Sequence, residues 1–287
     1  MNPDALYPPL DASSVILLQA RLEGGLEELL TSAAARVALS LRLTNGTVVL
    51  EHTAQRQQPA ASLIKLPILL TLLEKVASGE LELDQQLSLD GLERVGGTGI
   101  LSQLRSVGNL SLAELARLMI VLSDNLATNA LIHLLSLDAV NDWCKRHGLE
   151  QTVLQRYMMD IPARLSGQDN FTSAADSTKS VCWLLDTNNL PATLRQFSLS
   201  LLADQQDRSH FGAQLPAGTS LANKTGQLPG LRHDVGILNY GKHSLVLAVL
   251  ADQFTDTVTS QNLHGGEGAW LLSTIARIIV QQLLTLG

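Results

Sequence analysis

Strand-like patterning occurs only near the two ends of this chain, with a long helical stretch between. In ARVALSLRL, residues 35–43, apolar side chains alternate at Val37, Leu39, Leu41 and Leu43. Thr44-Asn45-Gly46 is a turn and TVVLEH resumes as strand, which makes a hairpin. Strand patterning returns at residue 219, in the runs TSLANKTG, RHDVGILNY and HSLVLAVLADQF. The break Tyr240-Gly241-Lys242-His243 suits a second hairpin. From Ser62 to about residue 205, apolar residues recur at three- and four-residue spacing, as in LAELARLMIVL and AADSTKSVCWLL. Gly- and Asn-rich breaks at RVGGTGI, SDN and SGQDN divide that stretch. Residues 14–35 and the tail GAWLLSTIARIIVQQLLTL read as helices, the second with Arg277, Gln281 and Gln282 toward water. The predicted class is α+β: one antiparallel sheet formed from both chain ends, flanked by terminal helices, with an inserted all-helical domain. The expected domains are residues 1–61 with 213–287 around the sheet, and residues 62–212 for the helices, with the active site at their interface.

With 287 residues, 45% of them hydrophobic, the chain can bury a sizeable core. A net charge of −7 argues against a nucleic-acid binder, which would show a basic face. Charged residues make up only 16%, with no block of five like charges, so acidic tails and disordered linkers are not expected. Cys144 and Cys182 lack metal-ligand spacing and read as two buried free thiols. No metal or cofactor is implied. The apolar run Leu66–Leu73 is far below the roughly 20 residues a membrane span needs. The N-terminus carries no positive region ahead of its short apolar run, so no leader is legible. As written the chain reads as cytoplasmic, with its true compartment left open, and as a monomer acting on a small molecule.

Within ASLIKLPILL, residues 61–70, Lys65 sits among Leu, Ile and Pro, three residues after Ser62. Ser62 is a suitable N-cap, and residues i and i+3 share a helix face. Leu63, Ile64, Leu66, Ile68, Leu69, Leu70, Leu72 and Leu73 cover nearly every side of this helix, which predicts burial. A buried lysine is driven toward its neutral form, and beside a hydroxyl it is a general base for a nucleophile. Alternatively Lys65 snorkels to water and Ser62 only caps. Ser123-Asp124-Asn125 lies at the junction of two helical patterns, either facing the first site or acting as a helix cap. Lys224-Thr225-Gly226 ends the strand LANKTG, lining a cleft at the sheet edge or simply turning into the loop QLPG.

The three triplets in this order resemble the class A β-lactamase-like serine hydrolases, over roughly residues 15–285. The resemblance implies that Ser62 is the acylated nucleophile, that Lys65 takes or relays its proton, and that Ser123 passes a proton to the leaving nitrogen. It implies that Asn125 holds the substrate amide, and that Lys224 and Thr225, with Gly226 in the same triplet, bind the substrate carboxylate. The backbone N–H groups of Ser62 and Gln227 would form the oxyanion hole. The VGGTGI loop, residues 95–100, resembles the family loop at the cleft mouth.

Two departures stand against that resemblance. Class A enzymes carry a deacylating glutamate between the second and third triplets, whereas QRYMMDIPARLSGQDNFTSAAD, residues 155–176, holds none. Asp176 reads as a first-turn residue of a helix capped by Ser173 or Thr172, Asp169 as a partner of Arg156 or Arg164, and Asp160 as the least explained carboxylate. The positive residue after the third triplet falls to Arg232, either a carboxylate binder or a solvent-facing strand residue. His233 reads as a surface or cleft-edge histidine, and His133 and His147 as structural. The expected function is β-lactam ring hydrolysis through an acyl-enzyme. The alternatives are a slow-turnover penicillin-binding esterase, amidase or D-peptidase, or a covalent sensor.

Overall fold

The computed structural model describes residues 10–32, 35–254 and 266–285. In chain order, helix α1 (Ala12–Ser32) leads to strands β1 (Arg36–Leu43), β2 (Val48–His52) and β3 (Gln58–Pro59). A 3-10 turn (Ala61–Ile64) enters helix α2 (Lys65–Ala77). Short strands β4 (Gln86–Ser88) and β5 (Asn109–Ser111) precede helices α3 (Leu112–Val121), α4 (Asn125–Leu135), α5 (Leu137–Arg146) and α6 (Ile161–Leu165). Strand β6 (Phe171–Thr172) comes before α7 (Ala174–Leu185) and α8 (Ala192–Ala203). Strands β7 (Thr219–Leu228), β8 (Leu231–Tyr240) and β9 (His243–Asp252) and helix α9 (Glu267–Leu284) follow. The expected reach of the first helix to residue 35 crosses 33–34, which lie outside the described residues.

The two chain ends meet in one antiparallel sheet of order β2-β1-β9-β8-β7. Strand β1 pairs with β9 along its whole length, from Arg36↔Asp252 to Leu43↔Leu245. The alternation read in β1 sorts its side chains between two covered faces. Val37, Leu39, Leu41 and Leu43 pack with Leu18, Leu22 and Leu26 of α1 and Leu272, Ile275 and Ile279 of α9. Ala38, Ser40 and Arg42 turn toward α7, where Ser40 Oγ and Arg42 Nε lie 2.9 and 3.0 Å from Thr178 Oγ1. On that second face a larger core joins Ala222, Val235, Ile237 and Val246 of the sheet to α2–α5, α7 and α8.

The third triplet does not end its strand. Strand β7 continues to Leu228, and the hairpin turns at Pro229-Gly230, with Gly230 at φ 70°. Gln227 therefore stays in the ladder opposite Arg232.

Helix α2 is the centre of the helical half, and Lys65 through Leu73 are all buried, as its apolar circumference predicts. Six of these, Leu66, Ile68, Leu69, Leu70, Leu72 and Leu73, are at most 1% exposed. At on the order of 2 kcal/mol each, their burial outweighs the several kcal/mol that desolvating one ammonium costs. Both cysteines are free, Cys144 buried and Cys182 partly so. Burial pushes each thiol up to about 12. Among the described residues no helix is long and apolar enough to cross a membrane.

Candidate active site

Ser62 does not cap a helix. The chain enters the 3-10 turn through Ala61 at φ 47°, and Leu63 N–H already donates to Ala60 O at 3.0 Å. Lys65 N–H donates back to Ser62 O, so the capping position of α2 falls to Ile64, which has no side-chain cap. In a 3-10 turn, side chains at i and i+3 eclipse. Ser62 and Lys65 therefore stand on one side, and the Ser62 hydroxyl is left without a structural partner among the described residues.

Lys65 is fully buried and does not snorkel. Its Nζ donates to Ser123 O at 2.7 Å, to Ser123 Oγ at 3.0 Å and to Asn125 Oδ1 at 2.9 Å. Burial, then the neighbouring Lys224 charge, hold the amine well below the usual lysine value, against an opposing pull from Asp124. Lys224, also fully buried, reaches the same hydroxyl from the sheet. Its Nζ donates to Ser123 Oγ at 3.1 Å and to Thr225 O at 2.8 Å. Burial brings Lys224 down to about 8, while Asp207 and Asp234 oppose the change. Two lysine Nζ groups thus occupy the acceptor positions of one hydroxyl. A hydroxyl has two acceptor sites and one proton, so the Ser123 proton is left to point into the adjoining cavity.

Ser123 holds an unusual conformation, φ 55°, for a residue with a side chain. The segment around it fixes that geometry. Asp124 caps α4 through Ala127 N–H at 2.9 Å and takes Ile100 N–H and Leu101 N–H at 2.6 and 2.9 Å. Thr98 Oγ1 donates to Ser123 O at 2.6 Å. Asn125 N–H bonds Thr98 O at 3.1 Å, and Asn125 Nδ2 bonds Gly96 O at 3.0 Å. The VGGTGI loop is thus latched onto the second triplet. A Cβ at Gly97, which lies at φ 85°, would meet Asn125 Nδ2 at 2.6 Å.

These groups border a cavity of about 740 Å³, lined by Ser62, Ser123, Asn125, Thr225 and Gln227 among others. A second cavity of about 550 Å³, between the β1–β2 turn and α7–α8, holds none of the expected site residues. Gly226 lies between Thr225 and Gln227 and packs under the turn that carries Ser62, with Ala60 O and Ala61 Cβ each 3.4 Å from where a Cβ would lie. Arg232 is not among the residues that line this cavity. Along β8, Val235 and Ile237 face the helical core while Leu238 faces α9, and Arg232 shares the parity of Leu238. Its Nη1 bonds the carbonyls of Leu228 and Leu231 at 3.0 and 2.8 Å. Its guanidinium thus engages the carbonyls that flank the Pro229-Gly230 turn.

The loop across the cavity from Ser62 contributes Arg156, Met158, Met159 and Asn170 to the wall and no carboxylate. Asp160 caps α6 instead, accepting Ala163 N–H at 3.0 Å. Asp169 pairs with both Arg156 and Arg164, at 2.7 and 3.3 Å, and closes the loop as expected. Asp176 lies in α7 behind its Ser173 cap, also as expected. His147 stacks on Trp143 at 4.1 Å. The sequence reading missed Asp207, which lines the cavity beside Thr225. It comes from the irregular segment after α8, where no spacing marks it. No cluster of His, Cys, Asp or Glu that could hold a metal ion occurs among the described residues.

The fold has known counterparts. A family model described as the β-lactamase enzyme family matches residues 21–283. A β-lactamase from Sphaerobacter thermophilus DSM 20745 is 29% identical, with TM-score 0.79 over 96% of this chain and 99% of its own. PBP-A, at 23% identity and TM-score 0.79 over 97% and 99%, and a representative of class A β-lactamase from Bacteroides cellulosilyticus DSM 14838, at 20% and 0.79 over 93% and 98%, share the fold. With the family match spanning nearly the full length, this chain belongs to the β-lactamase enzyme family.

Proposed function

We propose that the protein is a serine hydrolase that opens cyclic amides of the β-lactam type through an acyl-enzyme on Ser62. The observation that carries this reading is the convergence of Lys65 Nζ and Lys224 Nζ on Ser123 Oγ, at 3.0 and 3.1 Å, beside a cavity that Ser62 lines. Lys65 in its neutral form takes the Ser62 proton as Oγ attacks the carbonyl carbon. The proton passes to Ser123 Oγ, whose own proton goes to the leaving nitrogen as the C–N bond breaks. The Ser62 and Gln227 backbone N–H groups carry the oxyanion, a contribution of about 3 kcal/mol for each such donor. Asn125 takes the substrate amide, and Lys224 with Thr225 takes the charge on its far side.

A second reading has a specific support, the carboxylate-free loop wall of Arg156, Met158, Met159 and Asn170. With no base beside the ester, water attacks it slowly, and the protein holds its acyl group. Intact-mass spectrometry after incubation with penicillin G, beside a chromogenic cephalosporin assay, tests both. A stoichiometric adduct with many turnovers supports the hydrolase, and a persistent adduct with few supports the slow reading. An unmodified mass with the cephalosporin untouched rejects acylation at Ser62.

A further inference from the structure

His233, read from the sequence as a surface or cleft-edge histidine, is fully buried. It lies opposite Gly226 in the β7–β8 ladder, one residue from Gln227. Its Nε2 is 2.9 Å from Pro59 O, and Ala251 N–H approaches its Nδ1 at 3.2 Å. Nδ1 must therefore be the acceptor and Nε2 must carry the proton, because the other tautomer would set N–H against N–H at Ala251 and lone pair against lone pair at Pro59. The Arg232 carbonyl, 2.8 Å from Nδ1, is the one contact this tautomer leaves unfavourable. Burial brings the imidazole down to about 4, so it stays neutral near pH 7.

The carbonyl that His233 holds belongs to a single peptide unit gripped at both ends. Pro59 C=O and Ala60 N–H are the two halves of the Pro59–Ala60 peptide, and Ala60 N–H donates to Asn170 O at 2.8 Å. This peptide plane is fixed from the sheet by His233 and from the loop by Asn170. Next in the chain come Ala61 at φ 47° and then Ser62. Rotating that plane would rotate the Ser62 N–H with it, since Ala61 is already held in a narrow region of backbone space. His233 is also fixed to the strand that presents Gln227. One imidazole thus spans the two segments whose N–H groups are assigned above to the oxyanion.

We propose that His233 is a positioning residue for the oxyanion hole, its Nε2–H bond to Pro59 O setting the spacing between the Ser62 and Gln227 backbone N–H groups. The proposal rests on the acylation of Ser62 put forward above. Its test compares wild type with His233→Phe, His233→Gln and His233→Asn, using penicillin G. The readouts are the acylation rate and apparent Kd from mass-quenched kinetics, and the infrared carbonyl band of the acyl-enzyme. A glutamine amide can reach the place of Nε2, and an asparagine amide only that of Nδ1. The expected order of acylation rate is wild type, then Gln, then Asn and Phe, the last two down about 10- to 100-fold with Kd little changed. The carbonyl band of the Phe and Asn acyl-enzymes moves to higher wavenumber, because an ester oxygen with weaker hydrogen bonds is less polarised. Equal rates and an unmoved band in a folded Phe or Asn variant would overturn the proposal, as would Asn outperforming Gln. Should the Phe variant not fold, the Gln–Asn pair decides. No adduct on the wild-type protein overturns the Ser62 reading itself and this proposal with it, whereas an adduct formed equally by all four proteins overturns this proposal alone.

Discussion

Replacing Lys224 by methionine removes the charge and keeps most of the side-chain volume. Lys224 is fully buried, and burial brings it from 10.5 to about 8. Between those values the unfolded chain binds a proton that the folded chain has released, so stability rises with pH across that window. At about 1.4 kcal/mol per pH unit, this one group makes the wild type about 2.5 kcal/mol more stable near pH 10 than near pH 7. Lys224→Met lacks that gain. The coupling with Lys65 has the same sign. Behind burial, the Lys224 charge is the next cause holding Lys65 down, so the variant also loses part of the Lys65 gain. The assay is urea unfolding of both proteins at intervals from pH 7 to pH 10, read as the difference between them, in which titrations elsewhere cancel. The wild type should gain on the variant by about 2.5 kcal/mol or somewhat more. Curves that run parallel across the range would refute the reasoning, because they would mean that the buried amine pays no penalty for its charge.

Three further outcomes follow from the same geometry. Ser62→Ala should abolish the penicillin adduct in intact mass while leaving thermal stability within about 0.5 kcal/mol, since the hydroxyl caps nothing. Gly97→Ala should destabilise by roughly 1–3 kcal/mol and slow acylation together, because a Cβ 2.6 Å from Asn125 Nδ2 must push either the loop or the amide aside; wild-type kinetics would contradict that. Asp207, held below the usual carboxylate range by Ser209 and His210 despite its burial, places a negative charge on the wall beside Thr225. Asp207→Asn should raise kcat/KM for an anionic β-lactam about fivefold over that for an uncharged ester analogue, corresponding to about 1 kcal/mol of relieved repulsion; an unchanged ratio would show that this charge does not face the substrate.

What could be read from the chain follows from what is local. Period-two alternation in β1 and β9 and the apolar circumference of α2 are short-range patterns, so the sheet of joined ends and the buried helix were legible. The three triplets pointed to chemistry only through their order, which resembles that of the class A β-lactamase-like serine hydrolases; each alone also reads as a helix cap, a snorkelling lysine or a strand end. The surroundings of Arg232 were not legible, because what its guanidinium meets depends on the Pro229-Gly230 turn, whose flanking carbonyls it bonds. Those of His233 were not either, because its partner Pro59 O is 174 residues away in sequence. Asp207 was illegible for a different reason. It is placed by the long return from α8 to β7, where irregular backbone carries no period. Ser62 looked like a cap because Ser before an apolar helix usually is one, and only the left-handed Ala61 starts the turn early enough to release its hydroxyl.

Stability alone does not account for this cluster. Replacing a buried charged group by an apolar one of similar volume is often neutral or stabilising. Here two lysine amines are buried on a single hydroxyl, so charge on one raises the cost of charging the other. The residue carrying that hydroxyl sits at φ 55°, a conformation that costs about 1–2 kcal/mol for a side-chain-bearing residue. The fold holds it there with contacts from several directions: Lys65 and Thr98 on Ser123 O, and three backbone N–H groups on Asp124. If the cluster existed to hold the two halves together, the double variant Lys65→Met with Lys224→Met would unfold more readily at neutral pH. If it exists to keep one amine close to neutral and one hydroxyl proton aimed into the cavity, that variant should match or exceed the wild type in stability and form no penicillin adduct. Thermal unfolding and intact mass on one sample separate the two, and a less stable variant that still acylates would defeat the chemical assignment.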